Sequence, residues 1–221
     1  MTIFDIHNWI DFLTNKAQGV FYTHEEKDMA LDRAQMQYFN EQYAYYALAQ
    51  KVQESLSPFK TKYTFLTSDT PSGLLTTPSG YQYLIGGRVI YMDGSHTRYK
   101  SLKVLSSDEL AYRLDSQLRP VTATKPVAVM AGKVSGISLI QLYPKQTFAG
   151  EIDYLRRPAV PKYAYTQSGR TFTYDSVNSV QMEWGESELN EIIIRSVSFL
   201  GISIDDQLRT QYAEAKSKQV N

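Results

Sequence analysis

The sequence contains no cysteine, which excludes a disulfide framework, thiolate chemistry and a cysteine-based zinc site. It has no surplus of either charge, because 23 Lys and Arg balance 23 Asp and Glu. A chain that grips nucleic acid over a broad face normally carries a basic surplus, so extended DNA binding is disfavoured. Long apolar runs are also missing, and no transmembrane helix is expected. The beginning, MTIFDIHNWIDFLTNKA, lacks the positive start and unbroken apolar core of a signal peptide. The expectation is a soluble protein kept on the cytoplasmic side.

Signatures of chemistry are equally sparse. The three histidines, His7, His24 and His96, are scattered, and His24-Glu25 lacks the second histidine of a metalloprotease HExxH. Phosphate-cradling glycine loops are absent. The pair Gly86-Gly87 precedes a strand-like run, so it presents no helix N-terminus to phosphate. Ser57-Pro-Phe-Lys60 has the SxxK spacing of penicillin-recognising enzymes, but that serine ends a helix where the motif needs a helix start. The carboxylate pairs Asp205-Asp206 and Glu186/Glu188 lie at expected helix starts, where capping accounts for them. No residue is assigned a catalytic, cofactor-binding or metal-binding role, and the chain is not read as an enzyme.

What is present is apolar content of 43% and 17 tyrosines in 221 residues. The first is enough for a packed core. Tyrosine offers a large, rigid contact area with a hydroxyl that tolerates water, which suits both subunit interfaces and half-buried pleated faces. Both readings stay open.

Apolar spacing predicts a helix over residues 3–16, through Ile3, Ile6, Ile10 and Leu13, with Trp9 and Phe12 widening the stripe. Thr23, three residues before Glu26, forms a capping box and starts a second helix running to about Leu56. At about 50 Å this helix exceeds the need of a compact domain. Its aromatic second side (Phe39, Tyr43, Tyr46) points to a subunit contact or to an intramolecular bundle. From Lys62 to Pro161 the runs become β-branched and aromatic, with Gly86-Gly87 reading as a tight hairpin and Ser107 as the cap of a short helix. The chain closes with a helix over 187–200, a C-cap at Gly201 and a last helix from Ser203 or Asp205. The expectation is one α+β domain over 1–221: a helical part (1–60), a β-rich part (61–165) and C-terminal helices (185–217). Its architecture is an antiparallel sheet or small sandwich flanked by a long N-terminal helix and C-terminal helices.

The most informative stretch is Leu139 to Tyr163, LIQLYPKQTFAGEIDYLRRPAVPKY. Alternation in its second run sets Ile152, Tyr154 and Arg156 on one face and Glu151, Asp153, Leu155 and Arg157 on the other. Arg156-Arg157 then stand at a strand end stiffened by Pro158 and Pro161. Forked guanidinium contacts suit a partner interface, or a local ion pair to Glu151 or Asp153. Trp184, before the penultimate helix, reads as core rather than anchor.

This stretch, the helix THEEKDMALDRAQMQYFNEQYAYYALAQKVQESLSPF and the ending VQMEWGESELNEIIIRSVSFLGISIDDQLRTQYAEAKSKQ occur in an order that resembles virion structural proteins of tailed bacteriophages. The likeness is to the neck or ring (head–tail connector) proteins of crAss-like phages. That resemblance implies a non-enzymatic protein of the virion, assembled in the host cytoplasm as a dodecameric ring beneath the portal. Its partners would be itself, the portal, and other neck and tail proteins. Packaged DNA would pass through the lumen during ejection without sequence-specific binding, and no membrane is involved. The resemblance carries over no defined functional residues; Tyr154, Arg156, Arg157 and Pro158 are expected as interface or fold-defining positions, and Tyr45 and Tyr46 as interface positions. Alternatives are a tail or baseplate component, a β-rich glycan- or peptide-binding module, and last a hydrolase.

Overall fold

In the computed structural model, residues 1–16, 21–93, 95–168 and 171–200 are described. The fold is α+β, and the chain groups into two compact units. Met1–Pro58 with Pro158–Asn221 form a helical unit, and Phe59–Arg157 form a strand-rich unit inserted in its sequence.

In the helical unit, α1 (Ile3–Lys16) buries Ile3, Ile6 and Ile10 on one face, as their spacing predicts. Its stripe is narrower than expected. Trp9 and Phe12 are about half exposed and pack edge-to-face on each other, with centroids 5.7 Å apart. Helix α2 (His24–Ala44) starts at the predicted box: Glu26 N–H donates to Thr23 Oγ1 (3.2 Å), and Thr23 N–H donates to the Glu26 carboxylate (2.8 Å).

The helix does not reach Leu56. It ends at Ala44, the chain turns through Tyr45–Ala49, and a separate α3 (Gln50–Ser55) follows an extended Ala49 (φ −135°, ψ 123°). No residue here is a helix breaker, so packing overrides propensity. The break redirects the chain, and Leu56, just after α3, is fully buried. Gln53 donates its side-chain amide to the Tyr46 carbonyl (3.0 Å), supplying a partner where the helix ladder has ended.

A two-stranded ribbon, β9 (Tyr165–Ser168) with β10 (Thr171–Tyr174), has no counterpart among the sequence expectations. Helix α5 (Glu186–Phe199) buries Leu189, Ile192, Ile193 and Val197. Trp184 is buried just before it, in keeping with its reading as core. Gly201 and the expected final helix lie outside the described residues.

The strand-rich unit is a small sandwich with one helix. Its first sheet has the order β1-β8-β3-β4: β1 (Lys60–Phe65), β8 (Ala149–Arg156), β3 (Tyr81–Asp93) and β4 (His96–Ser101). All its pairs are antiparallel. The second has the order β2-β7-β6-β5: β2 (Leu74–Thr76), β7 (Ile137–Tyr143), β6 (Val127–Val134) and β5 (Lys103–Val104). Its β5–β6 pair is parallel and the others antiparallel. Phe65, Val89, Ile152 and Tyr154 from the first sheet share a core with Leu75, Ala128, Ile140 and Leu142 from the second. On the other face of the second sheet, Val127 and Val129 pack with Leu110 of α4 (Ser107–Asp115). The cap of α4 is Ser106, one residue before the expected Ser107, because Ser106 is the position that pairs reciprocally with Glu109.

Gly86-Gly87 make no hairpin. Strand β3 runs unbroken from Tyr81 to Asp93, and the pair sits at a register shift between Leu84 and Gly86 against β8. A Cβ on Gly87 would stand 2.9 Å from the Glu151 carbonyl oxygen, so the glycine marks close backbone approach at a bulge.

Candidate functional site

The surface features belong to the two units separately. In the strand-rich unit, β6 and β7 form a hairpin whose base is core and whose outer half is free of it. Val127, Ala128 and Val129 are buried, and everything from Met130 to Ile137 is exposed. The turn is two residues, Ser135 (φ 49°) and Gly136 (φ 81°), between the pair Val134 and Ile137. Two successive left-handed residues match the right-handed strand twist, which is why Ser-Gly serves here. Gly132 (φ 103°) at a register shift bends the ribbon where it leaves the core. The arm is apolar at Met130 (43% exposed), Val134 (60%) and Ile137 (47%). At its base the Met130 sulfur accepts from the Tyr81 hydroxyl (3.9 Å), and exposed apolar residues such as Val134 and Ile137 beyond it mark contact surfaces. Strand β4 at the sheet edge is exposed along its whole length, with Tyr99 beneath the Arg88 guanidinium at 5.1 Å. Its Arg98 and Lys100 guard the edge against indiscriminate pairing.

The strand-end arginines are placed as follows. Arg156 is half-buried, with its guanidinium 5.7 Å from the Phe59 ring centroid, and Arg157 is exposed with its N–H donating to the Gly80 carbonyl (2.8 Å). Glu151 pairs instead with Arg88 (2.5 Å) and Lys62 (3.5 Å). These hydrogen bonds and charges, the Arg88 bond foremost, hold its carboxyl below the usual range. Tyr154 is buried in the sandwich core against Tyr81 (ring centroids 5.7 Å), so it defines the fold of its own subunit. Pro158 is buried and begins the second segment of the helical unit. Tyr45 (60% exposed) and the half-buried Tyr46 lie in the turn after α2, where Tyr46 stacks with Tyr43 at 6.4 Å. The structure thus groups Tyr154, Arg156 and Arg157 at one strand end and leaves Tyr45 and Tyr46 in the other unit.

Sequence reasoning missed a cluster of titratable groups in the helical unit. His7 of α1 is 1% exposed, and its Nε2 lies 3.0 Å from Asp28 Oδ1 of α2. The other carboxylate oxygen, Asp28 Oδ2, accepts the Tyr163 N–H at 2.8 Å. His7 Nδ1 faces His24 Nδ1 at 3.1 Å, and the Tyr163 ring stacks on both imidazoles (4.7 and 4.0 Å). Beside them the buried Lys27 ammonium pairs with Asp11. Burial first, then His7 and the Lys27 charge, push the His24 pKa down. Burial, Tyr174 and Asp11 push the Tyr163 hydroxyl up. Seventeen residues separate the two histidines, and only the docking of α1 on α2 brings them together; no local pattern carries that information.

Among the described residues, no group of three His, Cys, Asp or Glu could hold a metal ion. A shallow cleft of about 350 Å³, lined by Asp28, Met29, Asp32, Arg33, Met36 and Val160, presents no nucleophile–base pair. No protein-family model matches the chain, and no match to a curated protein reaches significance.

Proposed function

We propose that this chain is a structural protein of a phage virion neck. It assembles as a ring between portal and tail and forms part of the head–tail connector through which DNA passes. The observation that carries the reading is the β6–β7 arm, whose Met130, Val134 and Ile137 are exposed at the end of an otherwise well-packed sandwich. A ring closes through heterologous contacts, in which one surface of a subunit meets a different surface of the next. An extended arm is suited to reach across that seam. Balanced charge, 23 against 23, lets copies approach without mutual repulsion. Arg157 and Tyr45 supply further exposed residues of the kinds enriched at interfaces.

The order of the three phage-like segments is what directs the assembly to the neck. A glycan-binding module would use its exposed tyrosines as stacking platforms, and its copies would stay monomeric. Native mass spectrometry and negative-stain imaging, with the protein alone and co-expressed with the portal of the same phage, distinguish the two. Rings support the neck reading. A strict monomer under both conditions that binds glycan contradicts it.

A further inference from the structure

We propose that His7 and His24 form a proton-operated latch, which holds α1 on α2 near neutral pH and lets it go when both imidazoles are protonated. The inference rests on the helical unit alone and is independent of the ring reading.

The proton count follows from the contacts. With Asp28 as a carboxylate, Oδ2 accepts from the Tyr163 amide and Oδ1 accepts from His7, so His7 carries its proton on Nε2. His7 Nδ1 then meets His24 Nδ1 at 3.1 Å, a distance that needs one hydrogen between the two nitrogens. A neutral pair satisfies this, with His24 donating to His7. A pair holding one extra proton satisfies it as well. A second extra proton sets N–H against N–H and places two positive rings in contact, and no acceptor lies between them.

The neighbouring charges act in both directions. Asp11 and Glu25 favour protonation of His24, while Lys27 and His7 oppose it, and burial opposes it most. The Tyr163 ring, stacked on both imidazoles, Tyr165, bonded to Glu25 (3.2 Å), and Tyr174, packed on Tyr163 (5.0 Å), close the cluster from the ribbon side. Gln181, in the segment before α5, accepts from the Ile3 N–H one turn before His7 and donates to the Tyr174 hydroxyl (3.1 Å).

The direction of the effect follows. With α1 released, His24 is freed of the burial that holds it down and returns towards the ordinary histidine value of about 6.5. In the docked state the second proton enters only at lower pH, as the depressed His24 requires. The docked state therefore binds fewer protons. It is favoured above about pH 6.5 and loses ground as pH falls, by up to about tenfold in the opening equilibrium per pH unit for one proton. Helix α1 also packs on α5, so release means lifting it from both helices, and it then uncovers Ile3, Ile6 and Ile10.

Hydrogen exchange of the full chain between pH 8 and 5, corrected for intrinsic rates, tests this. In the wild type, the α1 amides are expected to open more with each unit below about pH 6.5 while the α2 amides hold. In His24→Asn, which keeps an amide opposite His7 and does not titrate, that dependence is expected to vanish. Protection of α1 in the wild type that is unchanged over the range overturns the proposal, as does an undiminished dependence in His24→Asn. Should that variant not fold, imidazole nitrogen NMR of the wild type decides. Two titrations split apart with a shared Nδ1 proton support the latch, and two independent ordinary titrations overturn it.

Discussion

Trp184 donates its indole N–H to Oε1 of Gln35 at 3.3 Å, and the amide of the same glutamine donates to the Ala159 carbonyl at 2.9 Å. Gln35 is fully buried on α2, so one polar side chain ties three distant stretches of the helical unit together. Replacing it by Leu withdraws an acceptor from the buried Trp184 indole N–H and a donor from the half-buried Ala159 carbonyl. The expected loss is about 2–4 kcal/mol, read by urea unfolding followed by circular dichroism. A loss under about 0.5 kcal/mol contradicts the tie.

The adjacent glycines of β3 should behave differently. A Cβ on Gly87 meets the Glu151 carbonyl and Ile152, whereas one on Gly86 meets nothing within 4 Å. Gly87→Ala is expected to destabilise by about 1–3 kcal/mol, because strand backbone must shift to admit it. Gly86→Ala should stay within about 0.5 kcal/mol of the wild type. Equal effects in thermal unfolding would mean the close approach is misplaced.

The two capping boxes predict a local effect. Thr23→Ala removes the acceptor for Glu26 N–H and should cost about 1 kcal/mol, with faster exchange first in the opening turn of α2. Ser106→Ala should act likewise on α4, through Glu109. Exchange that instead quickens uniformly through the unit would show the caps to be incidental.

Changing Arg156 and Arg157 together to Ala separates partner contact from fold. Both stand at the end of β8, Arg156 along Phe59 and Arg157 exposed, so circular dichroism is read beside assembly to show that the variant keeps its fold. Assembly, measured by analytical ultracentrifugation, should weaken. Unchanged assembly removes the arginines from the interface and leaves the arm untouched.

Much of the fold was legible because its signals are local. The isoleucine spacing of α1, the Thr23–Glu26 box and the β-branched runs each act within a few residues. The strand-rich insertion was legible as strands, and α5 as a helix, for the same reason. What escaped was decided at a distance. Nothing in Tyr45–Ala49 is a breaker, so the end of α2 follows from how the chain packs after it. Gly86-Gly87 have turn chemistry but occupy a bulge, since β8 approaches on the far side of the strand. Strands β9 and β10 are only four residues each, too short for their alternation to stand out. The histidine pair and the Gln35 tie depend on tertiary contacts that no spacing encodes. Of the assigned interface residues, Tyr154 carried a strand's alternation correctly, and that alternation places it in the core.

The central claim is assembly through the β6–β7 arm, and native mass spectrometry of Val134→Glu/Ile137→Glu beside the wild type tests it most directly. Both residues are exposed in the subunit, so the variant should fold with an unchanged circular dichroism spectrum. The wild type, alone or with its portal, is expected to form closed rings and the variant to remain monomeric. Rings formed equally well by the variant, or a wild type that stays monomeric in the presence of the portal, would contradict the account.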